Sequence, residues 1–365
     1  MQVSPPKRPA NRGTDGRFAT LDGLRGIAAL LVAAFHLQQS LGLAAINGYL
    51  SVDLFFALSG FVLARVYSAR FAEGLGPMQF TLSRFARFYP LYFLGFLLGV
   101  AALLLRGLSG LSSMTSGDTA ATILLGGLLL PTPFSETLFP LNPAAWSLFF
   151  ELAVNLLFAA WLWRLRDRSL LLVIVIAMIA LVATTTEPFY MNMGWRWDEF
   201  TGGCARTLFS FSVGMFICRV FGARPRRASP LALILPLLAL PPIIWGIGDP
   251  KIWTLTAVVI FFPLLVALCT LVEPPSWARN ALCAFGALSF PLYAIHWPLA
   301  ALMQPWLKGM AFSTALALFL ISAMILAYAA QRLIDEPAQD LLRRWLHGLH
   351  RPRARIVTTI SPLAP

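Results

Sequence analysis

The sequence predicts an all-α fold, a polytopic membrane helical bundle of about 10 transmembrane helices with one short re-entrant or interfacial segment. Hydrophobic residues make up 58% of the 365 residues and charged residues only 12%, whereas about a quarter of a soluble domain is charged. Many apolar runs have close to the ~20 residues that span a ~30 Å hydrocarbon core. Basic residues lie in short loops and tails beside these runs, as the positive-inside rule expects.

The apolar runs place the predicted spans along the chain. They lie near 22–42, 49–69, 82–105, 145–164, 169–186, 203–221, 230–247, 252–272, 280–304 and 311–332. A further run at 120–130 has about 11 residues and a Gly-Gly pair, which is short for a full crossing. The chain therefore divides into a polar tail (1–17), a membrane domain (18–340) and a basic tail (341–365).

The distribution of positive charge predicts the orientation. If the run at 120–130 does not cross and the N-terminus is cytoplasmic, the arginine clusters at 164–168, 224–227 and 343–355 all lie on the cytoplasmic side. We therefore expect both termini in the cytoplasm, a multi-pass protein of a bacterial inner membrane, and no cleavable signal peptide. The net charge of +12 then reflects anchoring to the membrane, and we expect no nucleic-acid partner.

Ionisable residues inside predicted spans are functional candidates because charge at membrane depth is costly. Arg25 and His36 are eleven residues apart in the first span, which places them on nearly one helix face, ~16 Å apart along the axis. We expect both to point into one water-accessible channel, Arg25 near the cytoplasmic interface and His36 in the outer half. Arg25 alone is equally typical of a snorkelling anchor. His36 alone is also found as a hydrogen-bonded core residue, but the shared face argues against both alternatives.

Asp53 opens the second span from the outer side, at the expected depth of His36. A carboxylate beside a histidine fixes its tautomer and raises its basicity, as a general base requires. We therefore expect Asp53 to pair with His36, although it also fits the N-terminal cap of its own helix. Glu151 lies about two turns into the fourth span, where we expect it to face the bundle as a second candidate to orient His36.

Arg84 and Arg87 are three residues apart and share a face at the cytoplasmic end of the third span. Two guanidiniums that point the same way suit a phosphate-rich ligand, although anchoring at the interface explains the spacing equally well. His296 lies in the outer half of the ninth span between two prolines, which predict a kink and room for a cavity. Glu336 ends the tenth span and is either a partner for these arginines or a solvated helix end.

The remaining candidates are less specific. Trp146 precedes Glu151 and fits an interfacial aromatic belt. The four cysteines lie in apolar segments without metal-ligand spacing, so we expect packing roles, no metal site and no tightly bound cofactor.

Several of these segments, in this order, resemble the membrane acyltransferase 3 family, which O-acylates cell-surface carbohydrates. The resemblance covers roughly residues 18–340. Its motifs are Leu21-Asp22-Gly23-Leu24-Arg25-Gly26 with His36, Val52-Asp53-Leu54-Phe55-Phe56-Ala57-Leu58-Ser59-Gly60, Arg84-x-x-Arg87-x-x-Pro90, Trp146-Ser147-Leu148-x-x-Glu151, and Ser289-x-x-Leu292-Tyr293-x-x-His296-Trp297-Pro298, followed by Glu336. Each motif alone is weak, but the ordered set is specific.

The resemblance implies an O-acyltransferase, most commonly of acetyl groups, that uses acyl-CoA as co-substrate and a cell-envelope or exported carbohydrate as acceptor. It implies that Arg25 and His36 are essential and that Arg84 and Arg87 serve the donor side. Ser59, Tyr293 and Trp297 become possible substrate contacts. Many relatives carry a second acid after the residue at Glu151, where this chain has Leu152.

Two further questions stay open at the level of sequence. We expect no hydrolase-like domain after the last span, and therefore transfer by this chain alone or with a separate periplasmic partner. Direct attack on the thioester and an acyl-histidine intermediate fit the residues equally well. A transporter or flippase of a glycan or small anionic substrate is the alternative function, because paired intramembrane charges also build transport paths.

Overall fold

The computed structural model describes residues 17–106, 114–187 and 190–349, and it is predominantly helical there. Residues 1–16 of the predicted N-terminal tail and residues 350–365 of the predicted C-terminal tail lie outside the described residues. The long helices are α1 (Ala19–Ser40), α2 (Ser51–Ala72), α3 (Pro77–Arg106), α6 (Asp167–Thr184), α7 (Phe200–Phe221), α12 (Ser276–Leu307) and α13 (Phe312–Ala330). The shorter helices are α4 (Ser116–Gly127), α5 (Ala145–Ala160), α8 (Leu231–Ile234), α9 (Leu240–Ile244), α10 (Pro250–Thr256), α11 (Phe262–Leu271) and α14 (Glu336–Leu349).

Eight helical segments in the described part of the chain are long and apolar enough to cross a membrane. They are 19–40, 48–72, 77–105, 167–184, 200–221, 250–271, 276–307 and 312–341. The other two predicted spans correspond to shorter apolar stretches, at 145–160 and 231–244. The predicted all-α polytopic membrane bundle is confirmed.

Loop contacts define the two ends of this bundle. We call the end where α1 begins the proximal end and the end where α1 finishes the distal end. At the proximal end, strands β1 (Arg227–Ala228) and β2 (Val272–Glu273) pair in parallel, and the Glu273 carboxylate accepts a hydrogen bond from Ala19 N at 3.1 Å. At the distal end, Asn47 N donates to Ile243 O at 2.7 Å. The stretch at 231–244 therefore runs from one end of the bundle to the other.

Helix α5 also connects the two ends. The loop before it bonds the loop before α7, through Leu138 N and Trp195 O at 2.9 Å, at the distal end. The segment after it stacks Trp163 on Phe71, with ring centroids 5.3 Å apart, near the end of α2. Its 16 residues thus follow the path of the predicted fourth span.

Prolines and π-helical turns interrupt several spans. The stretch at 231–244 contains Pro236, Pro241 and Pro242 and is divided by a 3₁₀ turn at Leu235–Ala239, because proline lacks the N–H donor that a continuous helix needs. A π-helical turn at Ala257–Phe261 joins α10 to α11, and another at Gln331–Asp335 joins α13 to α14.

Helix α4 corresponds to the short segment predicted at 120–130. Its 12 residues extend only ~18 Å, and its last carbonyls accept hydrogen bonds from two tyrosines in the middle of α3. Tyr89 donates to Gly127 O at 2.9 Å, and Tyr92 donates to Gly126 O. The helix ends there, and Leu129 has a φ of 57°. The short length of the helix agrees with the predicted re-entrant or interfacial segment.

Glycines bring two pairs of helices into close backbone contact. A Cβ atom at Gly214 of α7 would lie 1.9 Å from Ala57 O of α2. A Cβ atom at Gly286 of α12 would lie 2.7 Å from Asp22 Cα of α1. Small residues allow this approach in membrane bundles. They place α2 against α7 and α1 against α12, and this pairing decides which charged side chains meet.

Candidate functional site

A cavity of about 240 Å³ lies between α1, α2, α3, α5 and α12. Most of its lining is aromatic or aliphatic, with polar groups at two places. Arg25, Arg84 and Arg87 line one part together with Glu151, and the hydroxyls of Ser147 and Tyr293 line another. The cavity therefore combines a cationic region with an apolar passage.

The three guanidiniums are held in different ways. Arg25 lies 3.6 Å from the Asp22 carboxylate, one turn earlier in α1, and Arg87 forms an ion pair with Asp335 at 2.7 Å. The guanidinium of Arg84 lies over the ring of Phe88, 4.9 Å from its centroid. In the described part of the chain, the buried Nε of Arg84 has no hydrogen-bond partner. The prediction that Arg84 and Arg87 share a face is confirmed, since both line the cavity.

Glu151 faces the bundle, as predicted, but it lies at the cationic part of the cavity. It is 7% exposed, and its carboxylate accepts a hydrogen bond from the hydroxyl of Ser59, which also lines the cavity. The idea that Glu151 orients His36 is therefore wrong. It instead lines the same cavity as Arg25, Arg84 and Arg87.

His36 pairs with His296. His36 Nδ1 lies 3.0 Å from Val32 O and 3.0 Å from His296 Nε2, and His296 Nδ1 lies 2.7 Å from Tyr293 O. His296 is fully buried, so the imidazole of His36 is turned toward α12 and the interior of the bundle. Arg25 and His36 therefore both face inward, as their spacing predicts.

The prediction that Arg25 and His36 point into one channel agrees with the structure only for Arg25. Arg25 lines the cavity, whereas His36 does not. Tyr293 separates them, because its ring lines the cavity and lies 5.3 Å from the ring of His296. Phe55 packs on the same tyrosine at 5.4 Å. The hydroxyl of Tyr293 lies 2.5 Å from Ser147 Oγ and donates to Ala144 O at 3.3 Å.

The predicted pairing of Asp53 with His36 is wrong. Asp53 Oδ2 forms an ion pair with Arg206 Nη2 at 2.7 Å, and both side chains are essentially inaccessible, at 1% and 0% exposure. Arg206 also donates to Met193 O and Tyr49 O and lies over Trp146. The physical reason is the close contact between α2 and α7, which turns the Asp53 face of α2 toward α7 and away from α1.

Arg206 is a residue that the sequence analysis did not single out. A signal for it was present, because an arginine inside the predicted span at 203–221 is costly in a membrane unless it is paired. Trp146, considered for an interfacial belt, is instead buried beneath this guanidinium, 7% exposed.

The acid at the proximal mouth is Asp335, which pairs with Arg87. Glu336, the predicted candidate, instead pairs with Arg332 at 2.8 Å in a largely exposed i, i+4 contact. The π-helical turn at Gln331–Asp335 presents the two neighbouring acids in different directions. Glu336 therefore corresponds to the solvated helix end of the two readings that the sequence left open.

The other candidates lie apart from the cavity. Trp297 is half-buried and does not line it. Of the cysteines, Cys218 and Cys269 are buried, Cys283 is half-buried and Cys204 is exposed. Within the described ranges, no group of histidine, cysteine or acidic side chains is arranged to hold a metal ion.

The fold and the site are those of a polytopic membrane bundle with a buried cationic cavity and a histidine pair close to it. Residues 18–332 match the acyltransferase 3 family, described as "Acyltransferase domain". The protein belongs to this family and is a multi-pass membrane acyltransferase that transfers groups other than aminoacyl groups. The family decides between the two functions that the sequence left open, in favour of the enzyme.

Two of the three relatives described next are named as acyltransferases. The chain is 39% identical to "Protein 2 in picA locus" of Rhizobium radiobacter over 51% of this chain and all of that protein. It is 34% identical to the acyltransferase MdmB of Streptomyces mycarofaciens over 40% of this chain and 39% of that protein. It is 36% identical to the peptidoglycan O-acetyltransferase OatA of Listeria monocytogenes over 20% of this chain and 11% of that protein. No solved structure matches the chain significantly.

Proposed function

We propose that this acyltransferase moves an acyl group, most simply acetyl, from cytoplasmic acyl-CoA to a hydroxyl of a cell-envelope or exported carbohydrate. The observation that carries the proposal is the convergence of Arg25, Arg84 and Arg87 on one cavity. Guanidinium groups bind phosphates through paired, charge-assisted hydrogen bonds. Coenzyme A carries its phosphates at one end and its thioester at the end of a long pantetheine arm, which matches a cavity that is cationic in one part and apolar beyond it.

The size of the cavity limits how such a donor binds. At about 240 Å³ it is smaller than the ~300–1,000 Å³ of typical small-molecule pockets. We therefore place only the pantetheine arm and the acyl group inside, with the nucleotide at the proximal mouth. Arg84, whose Nε is unpartnered in the described chain, has a donor left for a phosphate or an amide oxygen of the arm.

The chemistry that we propose uses His36 as the base. The acceptor hydroxyl gives its proton to His36 as its oxygen forms a bond to the thioester carbonyl carbon. The carbon–sulfur bond then breaks, and the leaving thiolate takes the proton back, which yields the ester and the free thiol. The hydroxyls of Ser147 and Tyr293 line the cavity and bond each other and Ala144 O. In the step that we propose, one of them turns its hydrogen from Ala144 O to the carbonyl oxygen as that oxygen gains negative charge.

The sidedness of the reaction follows the charge distribution. We assign the proximal end of the bundle to the cytoplasm of a bacterial cell, because the arginine-rich connections at 164–168 and 224–227 lie at that end. The donor then enters from the cytoplasm, and the acceptor reaches His36 from the distal end. The name of OatA, a peptidoglycan O-acetyltransferase, supports a cell-envelope carbohydrate as acceptor.

Purified protein in lipid nanodiscs, incubated with labelled acetyl-CoA, tests the donor and the base together. We expect release of free thiol that depends on an added glycan acceptor. His36→Ala and Arg25→Ala should each lower this rate at least about 100-fold, with unchanged elution and thermal midpoint. Arg70→Ala is the matched control, because Arg70 lies on the same side of the bundle but stacks on Tyr67 outside the cavity.

Wild-type turnover by His36→Ala would overturn the proposed mechanism, and an intact thioester with every acceptor and donor chain length would overturn the proposed donor. The acceptor is best identified by mass spectrometry of surface glycans from a deletion strain. Loss of an ester-linked acyl group from one glycan, restored by the wild-type gene but not by His36→Ala, is the expected result.

A further inference from the structure

The contacts of the two histidines restrict which ring nitrogens carry hydrogen. A backbone carbonyl oxygen can only accept a hydrogen bond. His296 Nδ1 lies 2.7 Å from Tyr293 O, and His36 Nδ1 lies 3.0 Å from Val32 O. Both Nδ1 atoms must therefore be protonated, because a lone pair at either position would face the lone pairs of an oxygen.

The remaining contact then has one solution for neutral rings. His36 Nδ1 lies 3.0 Å from His296 Nε2 as well as from Val32 O, so its single N–H group is shared between two acceptors. His296 Nε2 must be the acceptor, with its lone pair toward His36. The alternative, a doubly protonated His296, would place an imidazolium at a fully buried position beside another histidine, which is costly without a counter-ion.

From this arrangement we infer that His296 is a positioning residue that holds His36 in the Nδ1–H tautomer and leaves His36 Nε2 unprotonated as the base. The inference rests on the proposed function of the same site. His36 Nε2 forms no hydrogen bond within the described residues and is the nitrogen available for the acceptor hydroxyl. When Nε2 takes a proton, the positive charge of the ring is stabilised through Nδ1–H by Val32 O and by the lone pair of His296 Nε2.

His296 fixes the tautomer of His36, a role that was predicted for Asp53 or Glu151. The carboxylates of Asp53 and Glu151 bond Arg206 and Ser59, so neither is available to fix the tautomer of His36. The backbone of α12 fixes the imidazole of His296 instead, through Tyr293 O one turn earlier. The same tyrosine lines the donor cavity, so one turn of α12 would contact the donor and set the protonation of the base.

Three substitutions at His296 separate positioning from packing. His296→Gln keeps an acceptor oxygen near the position of Nε2, His296→Asn keeps only a donor near the position of Nδ1, and His296→Leu keeps neither. We expect Gln to retain kcat within about tenfold of wild type, and Asn and Leu to lose at least about 100-fold. The KM for acetyl-CoA should stay within about twofold in all three, because His296 does not line the cavity.

Wild-type kcat in folded Asn or Leu variants would overturn the inference, and so would a Gln variant as inactive as Leu with the same thermal midpoint. These results differ from those that would overturn the proposed function, which are wild-type turnover by His36→Ala and an intact thioester with every acceptor and donor chain length. Nitrogen-15 solid-state NMR tests the wild-type protein directly, since the chain has only four histidines. Two Nδ1–H tautomers for His36 and His296 are expected, and an Nε2–H tautomer at His36 would overturn the inference.

Discussion

Removing one member of the buried Asp53–Arg206 pair should strongly destabilise the bundle, because the other side chain would remain as an unpaired buried charge. Both side chains are almost fully excluded from the surface, and their closest atoms are 2.7 Å apart. A buried charge that loses its partner typically costs about 3–5 kcal/mol. We therefore expect Asp53→Leu to lower the free energy of unfolding by about that amount, because Arg206 would keep only neutral oxygens as acceptors.

Replacing both residues should cost less than the sum of the single losses. In Asp53→Leu/Arg206→Met no buried charge remains, and an isosteric apolar pair often compensates for a buried ion pair. The two single losses should therefore exceed the loss in the double variant by at least about 2 kcal/mol, within the range of coupling between contacting residues. Thermal midpoints in nanodiscs should fall by roughly 6–10 °C for Asp53→Leu, at about 2 °C per kcal/mol.

The exposed pair of Arg332 and Glu336 is the matched control. Its side chains are 54% and 42% exposed, and such pairs contribute about 0–1 kcal/mol. Glu336→Gln should therefore shift the midpoint by less than about 2 °C. A shift equally small in Asp53→Leu would refute the reasoning on burial. A stable but inactive double variant would show that the Asp53–Arg206 pair does more than stabilise the bundle.

Two further predictions concern packing and the donor side. Gly214→Ala should lower the thermal midpoint, because the new Cβ would lie 1.9 Å from a backbone oxygen of α2. Such overpacking lowers the free energy of unfolding by about 1–3 kcal/mol. The control Gly76→Ala, where a Cβ would have no atom within 4 Å, should leave the midpoint unchanged. Asp335→Asn should raise the KM for acetyl-CoA about tenfold, because it removes the charged partner that orients Arg87. Hydrogen bonds between charged groups contribute about 1.5 kcal/mol. The control Glu336→Gln should change this KM less than twofold. An unchanged midpoint in Gly214→Ala, or equal KM values in Asp335→Asn and Glu336→Gln, would contradict these assignments.

The fold was predictable because membrane depth imposes a composition on each span. Runs of apolar residues and the placement of arginines were enough to find ten segments and to separate the short one near Gly126 from them. The breaks within spans were less predictable. Pro236, Pro241 and Pro242 divide the helical stretch at 231–244, but proline is tolerated in membrane helices when its neighbours satisfy the freed backbone groups, so a sequence pattern alone does not locate the break.

The cationic part of the site was predictable because it depends on positions within single helices. The spacing of Arg84 and Arg87 decides their common face whatever their neighbours are. The partner of His36 was not predictable in this way, because it depends on which helix lies beside which. Glycine contacts pair α1 with α12 and α2 with α7, so His36 meets His296 and Asp53 meets Arg206, although Asp53 is closer to His36 in sequence.

The placement of Arg25 and His36 on one helix also bears on the class of donor. Helix α1 packs closely against α12 at Gly26, where a Cβ would lie 2.3 Å from Phe285, and at Gly286, which contacts Asp22. Because Arg25 and His36 lie on this one helix, their separation of ~16 Å along its axis is fixed by the helical rise. A donor whose phosphate adjoins its acyl group would leave that group far from His36 when its phosphate binds the arginines. A donor with a long arm between phosphate and thioester is long enough for this distance once the side chain of Tyr293, which separates the cavity from His36, moves aside. This requirement supports acyl-CoA over a short acyl phosphate.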